Sequence, residues 1–239
     1  MSNTSDEEVP VGDTARHRQR LSRNIILDTA IELVDRAGLQ RLNMRRLGAA
    51  CGVEAMALYR YVEGRDDLLN GIVDRMMDTL HATHLHDRDS DDSWQDFLVR
   101  VAGEVRDVAL EHPQVFPLIA TRPPRAPWIR PPLRSLRWLD TFLDTLVSFH
   151  FDDESAATTY RSFSTFLLGQ LLFEVTAEDA ATDNVGLDGY AQLERLQLIL
   201  SRDNASADFD YDLAQLIARI GTIGPSRTRD QQEFVTSTR

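Results

Sequence analysis

Residues 43–61 read N-M-R-R-L-G-A-A-C-G-V-E-A-M-A-L-Y-R-Y, and no other stretch limits the fold so sharply. Leu47, Cys51, Val53 and Leu58 place apolar side chains on both sides of Gly52, with Tyr61 one turn further on. Counted from Met44, Gly48 falls where two crossing helices touch. Gly52 falls at the turn between them, where a left-handed backbone suits a residue with no Cβ. This spacing predicts a helix-turn-helix, whose second helix lies in the major groove of DNA. A structural helical hairpin with no DNA role gives much the same pattern.

The flanks extend the helical reading. Leu21–Gly38 carries Ile26, Ala30, Leu33 and Val34 at helical spacing and stops on a glycine. Asn43 suits the N-cap of the next helix. Gly64-Arg65-Asp66-Asp67-Leu68-Leu69 opens a helix running to about His84, with acids in its first turn where the dipole favours them. The net charge of −12 argues against DNA only until its distribution is considered. Over residues 16–65 ten arginines stand against five acids, a local charge of +5 that leaves −17 for the rest. A basic module on an acidic body suits phosphate binding.

The remaining composition sets bounds. A chain of 239 residues, 42% of them hydrophobic, is long enough for two modest domains, or for one domain with an appendage. It has no apolar run of about 18 residues, so no membrane span is expected. Met1–Pro10 is polar and acidic, unlike a signal peptide, and a cytoplasmic location is expected. Cys51 is the single cysteine; its place in the pattern makes it a small core residue rather than a redox sensor. His81, His84 and His86 lack an acidic or cysteine partner at ligand spacing, and Asp87–Ser93 lacks the glycine and glutamate of a calcium loop. No metal or other cofactor is expected. No nucleophile–base pair or phosphate-cradling glycine loop is present, which argues against an enzyme.

The segment R-A-G-L-x-x-L-x-M-R-R-L-G-A-A-C-G-V-E-A-M-A-L-Y-R-Y-V-x-G-R-D-D-L-L resembles the DNA-binding domain of TetR-family regulators, and the likeness spans residues 21–78. It implies that Arg45 contacts DNA from the second helix. It also implies that a third helix, Ala55–Tyr61, presents Ala55, Met56, Ala57, Tyr59, Arg60 and Tyr61 to the groove. Arg60 is suited to a bidentate pair with a guanine edge, Tyr59 and Arg65 to phosphates. Ala55–Ala57 are apolar where the tetracycline-repressor subclass has polar side chains, which implies a different operator.

The resemblance continues more weakly to about residue 180, through S-W-Q-D-F-L at 93–98 and T-R-P at 121–123, and there it is to the tetracycline-repressor subclass. His81 aligns with a ligand-contacting histidine. Leu118 replaces the subclass's metal-binding histidine, while Val101, Val105 and Phe173 replace an asparagine, a phenylalanine and a carboxylate. With Phe97, Thr121, Trp138, Phe142, Phe166 and Gln170 these form the expected ligand-binding set, for a small, mainly hydrophobic or aromatic effector without metal. Trp138 and Phe142 line a cavity or simply fill the core. The proline-rich segment Arg122–Pro132 is either a loop at the pocket mouth or a plain connector.

The expected fold is all-α, with nine or ten helices. An arm at 1–20 and a tail at 224–239 are expected to be disordered, around a helix-turn-helix domain at 21–66 and a ligand-binding and dimerisation domain at 67–223. Arg16-His17-Arg18-Gln19-Arg20 is either a DNA-touching arm or a solvated tail. Ser155–Ala177 is apolar on several faces, with small residues including Gly169, and must be buried. The resemblance implies that helices 155–177 and 209–223 pair in a homodimer. The whole is expected to be a regulator, most simply a repressor, that binds a palindromic double-stranded operator. A DNA-binding adaptor without an effector is the alternative.

Overall fold

A computed structural model describes residues 21–84, 92–122, 126, 128–129, 135–177, 186–187, 189–200 and 204–225. The arginine arm, residues 87–91 of the acidic loop, most of the proline-rich segment and the tail beyond Pro225 lie outside the described residues. Ten α-helices and one 3₁₀ turn make up the described chain, and no strand occurs among those residues.

The head begins with α1 (Arg23–Ala37), whose Ser22 cap accepts from the Ile25 N–H at 3.3 Å. Gly38 stops it at φ +78°, sending its N–H to Val34 O at 2.7 Å. A 3₁₀ turn (Leu39–Arg41) leads to α2 (Met44–Ala50), where Asn43 Oδ1 accepts from the Arg46 N–H at 3.0 Å. Gly52 adopts φ +70° in the turn, as the sequence predicts. A Cβ on Gly48 would lie 2.9 Å from Val53 O and 3.1 Å from Ala55 N, so the next segment rests directly on the glycine. Then comes α3 (Ala55–Leu58), a single turn rather than the two expected to Tyr61. The Tyr61 N–H returns to Leu58 O at 2.8 Å, and this tightening puts both Leu58 and Val62 into the core.

The head is fixed to α4 (Arg65–His84) along α1. Arg23 grips Asp67 at 2.8 and 2.9 Å, and Arg75 grips Asp28 at 2.7 and 3.2 Å. Between these pairs Gly71 lets the helices close: a Cβ there would lie 2.7 Å from Leu27 Cδ2. Leu68 and Ile72 of α4 are fully buried, and Met76, Met77 and Leu80 carry its buried side on toward the body.

The body comprises α5 (Trp94–Glu111), α6 (Pro117–Thr121), α7 (Leu136–Ser148), α8 (Asp153–Ala177), α9 (Ala191–Leu200) and α10 (Ala205–Ile220). The Ser93–Asp96 capping box starts α5, and α8 packs on α5, α7 and α10. A stack of rings runs through the core: Trp138 on Phe142 with centroids 5.2 Å apart, and Phe142 on Phe163 at 5.6 Å. Two expectations need correction. The last helix runs Ala205–Ile220 rather than 209–223, starting four residues earlier because Phe209 and Leu213 both reach the core. And α8 is not buried all round: Arg161, Thr165, Gly169, Phe173 and Thr176 form an open stripe at near-helical spacing.

Candidate nucleic-acid interface and apolar cavity

On the head, Arg45 and Arg60 are exposed, and among the described residues neither pairs with a carboxylate. Met56 is 74% exposed and Tyr59 47%, while Ala55 and Ala57 are half-buried beside them. These residues share the end of the head formed by the start of α2 and the short α3. Two expected members differ. Tyr61 is half-buried against the head core, because α3 ends before it. Arg65 donates to the carbonyls of Leu42 and, at 3.3 Å, Leu39; it braces the turn before α2 instead of standing free. Cys51 is half-buried, and burial pushes its thiol up from the ordinary value, as suits a core thiol.

In the body, a cavity of about 30 Å³ lies where five helices or their ends meet. Met77 and Leu80 come from α4, Val105 from α5, Phe116 and Ile119 from the segment of α6, and Trp138 from α7. Ser164, Leu167 and Leu168 of α8 close it. Of the expected ligand set, Val105 and Trp138 line this cavity. Leu118 is buried on the short α6 next to Ile119, and His81 is buried with its Nε2 3.1 Å from Thr141 Oγ1.

The others lie elsewhere. Phe97, Val101 and Phe142 are packed core. Thr121 is exposed and bonds back to Pro117 O. Phe166 packs on Phe209, Gln170 donates to Asp212 Oδ2 at 2.6 Å, and Phe173 is 77% exposed. The reason is helical rotation: the α8 face carrying Ser164 and Leu167 meets the cavity, so Phe166 and Gln170 turn toward α10. Glu174, beside Phe173, is held by Arg106 through Nε at 3.0 Å. Ser164 was detectable as the polar residue on an otherwise apolar row with Tyr160, Leu167 and Leu171.

Arg122 links the cavity wall to the head end of α4. Arg122, just after α6, donates from Nε to Asn70 Oδ1 at 3.0 Å and from Nη2 to Asp66 Oδ1 at 3.1 Å. It thus ties the Ile119-bearing helix to the first turns of α4. A second link runs from His112 Nδ1 to Asp35 Oδ2 at 2.7 Å, between the end of α5 and α1.

A glycine-pinned helix-turn-helix on a helical body with an apolar cavity defines a DNA-binding regulator class. The chain matches the family model for bacterial regulatory proteins of the tetR family over residues 26–72, and that for the tetracyclin repressor-like C-terminal domain over residues 87–224. It belongs to the TetR family of transcriptional regulators. Tetracycline repressor protein class C of Escherichia coli is 29% identical over 205 residues, 83% of this chain and 90% of that protein. An HTH-type transcriptional regulator of Saccharopolyspora erythraea is 33% identical over 113 residues, which cover 47% of this chain and 46% of the relative. The chain therefore spans about half the length of that relative. Among solved structures, a possible TetR family regulator from Streptomyces coelicolor A3(2) superposes with a TM-score of 0.69 at 26% identity. That match covers 84% of this chain and all of the other. These relatives are regulators rather than enzymes. No helix among the described residues is long and apolar enough to cross a membrane.

Proposed function

We propose that the protein is a homodimeric, effector-responsive repressor that acts in the cytoplasm on a palindromic operator. The observation that carries this reading is the Arg122 link, because it joins the wall of an apolar cavity to the helix that bears the head. Arg45 and Arg60 offer unpaired guanidinium groups for phosphate and guanine, Tyr59 a hydroxyl for phosphate, and Ala55, Met56 and Ala57 apolar surface for thymine methyls. The head domain ends near residue 66, and the remainder to about 223 serves ligand binding and dimerisation.

Dimerisation uses the open stripe of α8 with α10, where Ala207, Ala214 and Ala218 are exposed beside a Tyr211 that is 66% exposed. Small residues on both helices suit close four-helix packing. The effector is small and mainly apolar or aromatic. It enters by prising apart Met77, Leu80 and Leu168, since the cavity as it stands has room for little more than a water. Displacing Ile119 shifts α6, and through Arg122 it pulls on the start of α4. Repression is relieved to the extent that the effector prefers the displaced state. The cavity's small size favours the second reading, an adaptor with no effector.

Selection of DNA fragments by purified protein at physiological salt tests the reading. A palindromic site is expected, from which Arg60→Ala loses about 1–3 kcal/mol. Weak, sequence-blind and salt-sensitive retention overturns it. Magnesium with tetracycline is expected to leave the operator complex intact, because the lining carries no ionisable side chain to share the metal. Chelate-dependent release would contradict the apolar effector class.

A further inference from the structure

The cavity turns polar at a single point. Ser164 is 3% exposed and lines it, and its Oγ completes no hydrogen bond. A helical serine ordinarily bonds back to the carbonyl one turn earlier, here that of Tyr160, and Ser164 does not. The Tyr160 hydroxyl lies near enough to Ser164 to be influenced by it. Burial is the stronger influence on that phenol and pushes it up to about 12, so it stays neutral. The rest of the lining is apolar, and none of it is charged. A charged ligand would shed its hydration there and gain no counter-charge. A water would find too few polar partners to be held well, so its displacement by a ligand costs little. Trp138 also lines the cavity and presents an aromatic wall, backed by the stacked Phe142.

We propose that Ser164 is the specificity-determining residue of this cavity. The ligand it selects is a neutral, flat, apolar molecule with one hydroxyl or carbonyl group, which pairs with Ser164 Oγ while its ring lies against Trp138. This rests on the effector-binding reading above and adds the chemistry of the effector. The buried hydroxyl makes the choice: a ligand that satisfies it recovers a lost hydrogen bond, and one that does not leaves it unpaired.

The probes are 2-naphthol and 2-methylnaphthalene, which differ by a hydroxyl in place of a methyl. Equilibrium dialysis against the full chain measures both affinities, for the wild type and for Ser164→Ala. The wild type is expected to hold 2-naphthol about three- to tenfold more tightly, the range one hydrogen bond supplies. In Ser164→Ala the preference should reverse, because the naphthol hydroxyl then lies unpaired among apolar side chains, with 2-methylnaphthalene bound as well as before or better, which also shows that the variant is folded. An unchanged preference for 2-naphthol in the variant overturns the role of Ser164 and leaves the apolar pocket standing. Failure of both probes to bind the wild type up to their solubility overturns the pocket itself, and this inference with it.

Discussion

Gly48 shows how little room single residues have in the head. A methyl group there would press on the carbonyl of Val53 and the backbone of Ala55, and neither is the end of a flexible side chain. Gly48→Ala should therefore cost about 1–3 kcal/mol, read as a fall in the thermal midpoint together with weaker DNA binding. The Arg23–Asp67 pair has a defined pH signature. The hydrogen bond from Arg23 holds the Asp67 carboxyl below its ordinary value, so its contribution to stability is present above the unfolded value near 4 and is lost as pH falls through the folded one. Asp67→Asn should destabilise the protein at pH 7, and the difference should shrink as pH falls through the folded value of Asp67, as followed by urea unfolding over a pH series. Gly48, Gly52 and Asn43 were legible in the sequence because each answers a local backbone need. Arg65 was not: whether a guanidinium meets a phosphate or the carbonyl of Leu42 depends on a turn 23 residues away. Ser164 was legible only as an oddity on an apolar row, since an unpaired hydroxyl is defined by what surrounds it.

At the scale of elements, α4 follows the sequence pattern, because acids open its first turn and a long apolar face sustains it, and the Ser93–Asp96 capping box fixes the start of α5. The short elements departed from it. The third helix stops at Leu58, where burying Val62 wins over continuing the ladder. Phe166, Gln170 and Phe173 of the expected ligand set lie away from the cavity because rotation about α8, and not position along it, decides what reaches it. The five-residue α6 matters beyond its size, since Ile119 faces the cavity and Arg122 holds Asp66 and Asn70. Arg122→Ala should leave 2-naphthol binding and ligand-free operator binding near wild type while shrinking the change in operator affinity on adding ligand. Operator affinities with and without ligand, in both proteins, check this. Equal changes would remove Arg122 from the coupling.

For the whole molecule, the proposed dimer rests on the open stripe of α8. At Gly169 a Cβ would meet nothing, so Gly169→Arg is harmless to a lone chain and even favours its helix. In a dimer joined along this stripe the arginine would sit between the subunits. The variant should sediment as the 27.1 kDa monomer with its helical spectrum unchanged, while the wild type sediments at about twice that mass. A wild-type dimer that persists in the variant would move the interface elsewhere. The Gly71 crossing has its own consequence at this scale. With Leu27 seated against Gly71 and one ion pair on each side, α1 is held from slipping along α4, so the head and the α4 strut swing as one piece. The strut's 20 residues make it about 30 Å long. A tilt of about 5° at its cavity end moves the far end by about 2.6 Å, and two heads swinging apart change their separation by about 5 Å. Successive major grooves lie about 34 Å apart, so in the proposed dimer the two heads would work as a pair of calipers, and an opening of that size would be enough to lose the fit.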